Sequence, residues 1–146
     1  MTLQLMRRAG AFSLLVVGGV HLQQYLGPYQ AVPTIGPLFL LNAIGAGVVA
    51  LGLMLPIERW LGRRSEVAIG ALSLGGAAIA LGSLIALYIA ETSTLFGFSE
   101  GPIDTAIWIA ILSEVAAALL LAPVAVSSLL RSSSSRPPAT PRAVRS

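Results

Sequence analysis

The chain has no cysteine, no lysine and a single asparagine, and only 10% of its 146 residues are charged. Each shortage excludes something. Without cysteine there is no disulfide, no CxxC redox pair, no thiolate zinc site and no cysteine-ligated iron–sulfur cluster. A soluble domain carries about a quarter charged residues. Here 55% of the residues are hydrophobic and the mean hydropathy is +0.85. A bilayer solvates such a surface and water does not. The lack of lysine and near-lack of asparagine is the bias of a GC-rich, bacterial genome. A P-loop, a dinucleotide-binding glycine pattern, a nucleophile elbow and HExxH are also missing. No catalytic residue, metal site or cofactor is therefore assigned.

What is present is four long apolar runs, at about residues 9–28, 35–56, 66–90 and 103–126. All nine basic residues are arginines, and they fall on one side of these runs. Arg7 and Arg8 precede the first run, and Arg59, Arg63 and Arg64 lie between the second and third. Arg131, Arg136, Arg142 and Arg145 follow the fourth. The other two connections contain no base. By the positive-inside bias, this predicts an all-α, integral-membrane four-helix bundle in the plasma membrane with both termini cytoplasmic. Residues 1–130 form the transmembrane domain. Residues 131–146, rich in arginine, serine and proline, read as a disordered cytoplasmic tail. That tail holds four arginines and no acid, so residues 1–130 carry five arginines against six acids. A nucleic-acid patch is disfavoured for this reason; the expected partner is the lipid bilayer. The first run also resembles a secretory signal, but no small-x-small cleavage site follows it, and a retained helix is expected.

The connections suggest local structure. Residues 27–37 are proline-rich and stiff, with Thr34 a candidate cap of the second helix. Ser65 is the candidate cap of the third, with Glu66 complementing its dipole. Phe96 and Phe98 place the connection after Glu91 against the outer interface. Small residues four apart recur at Ala71/Gly75, Ala78/Gly82/Ala86, Ala43/Gly47 and Ala106/Ala110. Such stripes serve packing within the bundle, the simpler reading, or contact with a homo-oligomer or larger membrane complex.

Few residues are candidates for chemistry. Glu114 lies about eleven residues into a helix entering from outside, roughly 16 Å deep at 1.5 Å per residue. A carboxyl there is costly and must be paired, protonated or cavity-facing. It reads either as a proton- or cation-linked site or as a hydrogen-bonded pin between helices. No base sits at its depth, which disfavours a simple ion pair. His21, the only histidine, lies higher in the first span and reads as a proton acceptor or ligand, or as an interfacial cap bonded to Asn42 or a loop carbonyl. Asn42 reads as an interhelical hydrogen-bonding group. Tyr25, Tyr29, Tyr88, Glu91 and Asp104 are expected to line an outer vestibule, with Glu100 beside them.

The segment His21-Leu-Gln-Gln-Tyr-Leu-Gly-Pro-Tyr29, followed by Val32-Pro-Thr-Ile-Gly-Pro-Leu-Phe-Leu-Leu-Asn42, resembles a block of small four-span proteins of GC-rich bacteria. In general plan the chain is similar to the DoxX-like group of four-helix membrane proteins. The resemblance covers 22 residues. It implies that His21, Tyr29, Pro33, Gly36 and Asn42 form one structural block at the outer end of the first hairpin, and it implies no substrate.

Three functions stay open at this level. The leading one is a non-catalytic structural or accessory membrane subunit. The second is a proton-coupled small transporter or channel using Glu114. The third is a quinone- or lipid-binding membrane redox subunit.

Overall fold

In the computed structural model, residues 2–98 and 104–134 are described. They form α1 (Leu3–Gln24), α2 (Ile35–Met54), a short α3 (Ile57–Leu61), α4 (Ser65–Thr92) and α5 (Thr105–Ser134). Four of these helices are long and apolar enough to cross a membrane, with α1 continuing to Tyr29. α1 packs between α2 and α5; α4 packs closely on α5 and more loosely on α2. Successive long helices alternate in direction, so the arginine-rich connections gather at one end and His21 lies toward the other.

The bundle is built from its smallest residues. Ala11, Ala46, Ala50, Ala80 and Ala117 are fully buried, with Leu14, Val17, Leu53 and Leu121 between them. The large apolar side chains point outward instead, including Phe12, Leu41, Val48, Leu112 and Leu119. Among lipid tails outward leucine costs nothing, and small residues let helix backbones approach. Gly10 and Gly76 mark close approaches in this core. A Cβ on Gly10 would lie 2.6 Å from the Leu121 side chain, and one on Gly76 2.7 Å from Leu14.

The boundaries depart from sequence expectation in three places. Thr2 caps α1, its hydroxyl accepting from Leu5 N–H at 3.4 Å, so Arg7 and Arg8 lie inside the helix rather than ahead of the span. α5 continues through Ser134, where the expected tail had begun at Arg131; Ser132 and Ser133 return their hydroxyls to carbonyls three residues back, and Ser134 to Leu130 four residues back. The remaining tail, residues 135–146, and Glu100 lie outside the described residues. Neither proposed cap works as one. Thr34 sits at φ 67° in a tight turn closed by Ile35 N–H to Pro33 C=O at 2.8 Å, with its side chain making no cap bond. A β-branched residue rarely adopts this geometry. Ser65 is already helical and donates to Gly62 C=O at 2.7 Å.

The small-residue stripe of α4 also differs from the simpler reading. α4 buries Gly70, Ser73, Gly76, Ala77 and Ala80, whereas Ala71, Ala78 and Gly82 are exposed. Ala78, Gly82 and Ala86 line an opening between α4 and the loosely packed α2.

At the arginine end each acid meets an arginine from another helix. Arg7, almost fully buried, donates to Glu58 Oε1 at 2.5 Å, and Arg131 Nε lies 3.5 Å from Glu66. The Glu58 carboxyl is held below its ordinary range chiefly by its own backbone N–H; burial opposes this, and smaller effects of Arg7 and Arg8 add to the lowering. A depressed carboxyl contributes stability that is present above its unfolded pKa and lost as pH falls through the folded one. Glu58→Ala is expected to destabilise the protein by about 1–3 kcal/mol at neutral pH, since it strands a buried guanidinium. Unfolding in detergent should show the wild-type advantage shrinking as pH drops below the carboxylate range.

Candidate functional site

Glu114, His21 and Ser83 converge near the end of the bundle opposite the arginines. Glu114 is 1% exposed, and its Oε1 lies 3.7 Å from His21 Nε2. This overturns the expectation that the two stand at different depths. Two causes bring them level. α5 begins at Thr105, so Glu114 is shallower than a start at residue 103 implied. Side chains also lean toward the N-terminus of their own helix. Because α1 and α5 run in opposite directions, Glu114 leans toward the His21 end and His21 leans back toward the bundle centre.

The histidine is held firmly. Its Nδ1 lies 2.9 Å from Val17 C=O, which can only accept, so Nδ1 carries a proton. Its Nε2 lies 3.0 Å from Ser83 Oγ. The expected bond to Asn42 is therefore replaced by one to Ser83 and one to its own helix. Ser83 also interacts with the Glu114 carboxyl, whose Oε1 has no hydrogen-bond partner. The serine thus bridges imidazole and carboxyl. One arrangement has neutral His21 accepting from Ser83 while the carboxyl holds a proton. The other has imidazolium donating to Ser83 while Ser83 donates to carboxylate. The two differ only in where one proton sits and which way the hydroxyl points.

The three groups form the polar end of a mostly apolar cavity of about 80 Å³, walled by Ile35, Phe39, Ala86, Ala90 and Ala110 and closed by Tyr29 and Phe98. That is room for a few waters or one small molecule. The closure is aromatic and made by two turns. The wide π-type turn Tyr25–Tyr29, broken at Gly27 beside Pro28, carries the Tyr29 ring onto Phe39 at 4.6 Å. Phe39 lies 5.0 Å from the His21 ring. Leu95 and Phe98 exchange both backbone hydrogen bonds around Phe96 and Gly97, each at positive φ, as in a tight hairpin turn. This turn sets Phe98 edge-on against Tyr29 at 5.6 Å. Gly36 allows the first turn to pack on α2, since a Cβ there would lie 2.5 Å from the Tyr29 carbonyl oxygen.

A second, more open groove of about 380 Å³ adjoins the cavity between α2 and α4 and shares His21, Ser83, Phe39 and Ala86 with it. Asn42 faces this groove, and its buried Oδ1 has no hydrogen-bond partner, contrary to the expected interhelical bond.

Of the expected vestibule residues, only Tyr29 lines the cavity. Tyr25 and Tyr88 stay at the periphery, Tyr88 strongly exposed. Glu91 is exposed near the end of α4. Asp104 caps α5, accepting from Ile107 N–H at 2.9 Å. Ser83, Phe39 and Phe98 escaped sequence reasoning. A lone serine within an apolar run was the available signal for Ser83, but Ser73 gives the same signal and lies deep in the core, its hydroxyl unpartnered. Among the described residues, no group of three His, Cys, Asp or Glu side chains is placed to hold a metal.

Two substitutions test this geometry. Gly36→Ala pushes backbone against backbone and is expected to cost about 1–3 kcal/mol, with faster amide exchange across residues 25–30. Glu114→Met replaces a half-satisfied buried carboxyl by an apolar side chain of similar length. Its melting temperature should be unchanged or higher. A loss of about 1–3 kcal/mol would instead identify Glu114 as a pin between helices.

No family model, curated protein or solved structure matches the chain.

Proposed function

We propose that this is a non-catalytic, multi-pass plasma-membrane protein that binds a small, neutral, largely apolar molecule through one hydrogen-bonding group. The observation that carries this reading is the Glu114 carboxyl, buried at the polar end of an aromatic-lidded cavity with one oxygen unpartnered. Buried polar atoms are normally satisfied, and an unpartnered one on a side chain that lines a cavity is accounted for by a ligand's hydrogen-bonding group. A carboxyl serving only as a pin would have its bonds completed by the neighbouring helix. With both termini cytoplasmic, as the arginine distribution favours, the cavity lies in the extracytoplasmic half.

Binding fits better than a channel. Between the cavity and the arginine end lies the close-packed layer of Leu14, Ala46, Ala80, Ala117 and Leu121. Passage from one end to the other would require that layer to part. The bridged imidazole and carboxyl can still exchange a proton with a bound hydroxyl, so transport remains the outcome to look for if flux accompanies binding.

Phenol is a suitable probe, with an apolar ring for Phe39 and Phe98 and one hydroxyl for Glu114. In detergent it should raise the melting temperature saturably, reflecting a stabilisation of about 1.4 kcal/mol at ten times its Kd. Benzene should stabilise less. Ala110→Leu, which fills the cavity, should abolish both effects, and Glu114→Met should erase the advantage of phenol over benzene. A wild-type protein indifferent to phenol would refute the reading.

A further inference from the structure

We infer that the groove between α2 and α4 is a lateral entrance from the bilayer, and that the ligand is a single-chain amphiphile with a hydroxyl head. This rests on the cavity being a binding site. The head would reach His21, Ser83 and Glu114, and the chain would lie along α4 over Ala78 and Gly82.

Several independent features meet there. His21 and Ser83 wall both the cavity and the more open groove, so the polar groups are reachable from the side. The groove opens among outward apolar residues, with Leu41 64% exposed and Ile44 54% exposed. These lie on membrane-spanning helices, and the medium outside such a groove is hydrocarbon. The floor is made of residues too small to fill it: Ala78 and Gly82 are exposed, and a Cβ on Gly82 would meet nothing within 4 Å. In the core of the same helix, by contrast, a Cβ on Gly76 would strike Leu14 and Leu121. The exposed stripe is therefore space left open.

The head group follows from the unmatched atoms. Asn42 Oδ1 accepts and has no donor, and Glu114 Oε1 is unpartnered, accepting as carboxylate or donating when protonated. A head group that both donates and accepts matches either state. Among the described residues no arginine lines either space, which leaves a phosphate or carboxylate head uncompensated. A hydroxyl supplies the donor at a far smaller desolvation cost than an ion. The class of molecule is thus a long-chain alcohol or an acyl chain ending in a neutral hydroxylated head.

The test uses the full chain in phosphatidylcholine vesicles with a twelve-carbon alcohol bearing a diazirine on its chain. Photolabel should concentrate on α2 and α4 beside Leu41 and Gly82. Gly82→Leu, which fills the groove without displacing any neighbour, should cut that labelling at least tenfold while phenol still stabilises the purified protein. Ala78→Leu should act in the same direction. Labelling undiminished by both variants, or spread evenly to the outer face of α5 at Leu119, would overturn the entrance but leave the cavity intact. Loss of the phenol effect in the wild type would overturn the cavity reading itself. Because the chain has no cysteine, Ala78→Cys gives a clean further check. Efficient disulfide dimers in vesicles would mean that a second copy covers the groove, and would also overturn the entrance.

Discussion

The close approach of four helices on alanine and glycine near the bundle centre is the constraint on which the rest depends. Gly10 and Gly76 admit Leu121 and Leu14 at distances no Cβ would tolerate, and Ala46, Ala50, Ala80 and Ala117 complete the layer. In a bilayer there is little hydrophobic gain in bringing helices together, so van der Waals contact must do it. Contact of this kind is short-ranged. Where the small residues of one helix are matched by a neighbour, the bundle closes; where α2 and α4 are not matched, it stays open.

That closed layer divides the molecule. On one side lies the arginine end, where Arg7 and Glu58 join the first helix to the α2–α4 connection. On the other side the helices enclose a cavity whose polar end is the His21–Ser83–Glu114 cluster. At the arginine end Glu58 and Glu66 each lie beside an arginine, and the buried Arg7 Nε has no hydrogen-bond partner. The opposite end leaves oxygens unpartnered at Glu114 and Asn42. Unfilled hydrogen-bonding capacity is costly in a low-dielectric interior, and at the cavity the proposed ligand would supply the missing partner.

Much of this was legible in the residues. Helix number and approximate spans follow from the lengths of the apolar runs, because the bilayer thickness leaves few other solutions. Glu114, His21 and Asn42 stood out as polar groups in apolar surroundings, and all three reach the cavity or its groove. Their relative positions were not legible. Counting residues from helix ends put Glu114 and His21 at different depths, because such counting takes no account of the direction in which side chains lean. The vestibule fared worse: Asp104 is a helix cap, and Tyr88 and Glu91 lie outside the cavity, since nearness to a membrane surface says nothing about which way a residue faces. Ser83 was one serine among several.

The sequence by itself determined the class of protein. Hydropathy, the one-sided arginines and the absence of cysteine are properties of the chain, and the energetics they express depend on solvent rather than on neighbours. Tertiary structure alone decided that a histidine on α1, a serine on α4 and a carboxyl on α5 share one proton-holding cluster. It also decided that the glycine–alanine stripe of α4 borders an opening rather than a seam. Both outcomes depend on which helix faces which and in what direction each runs, and only the packed bundle sets those relations.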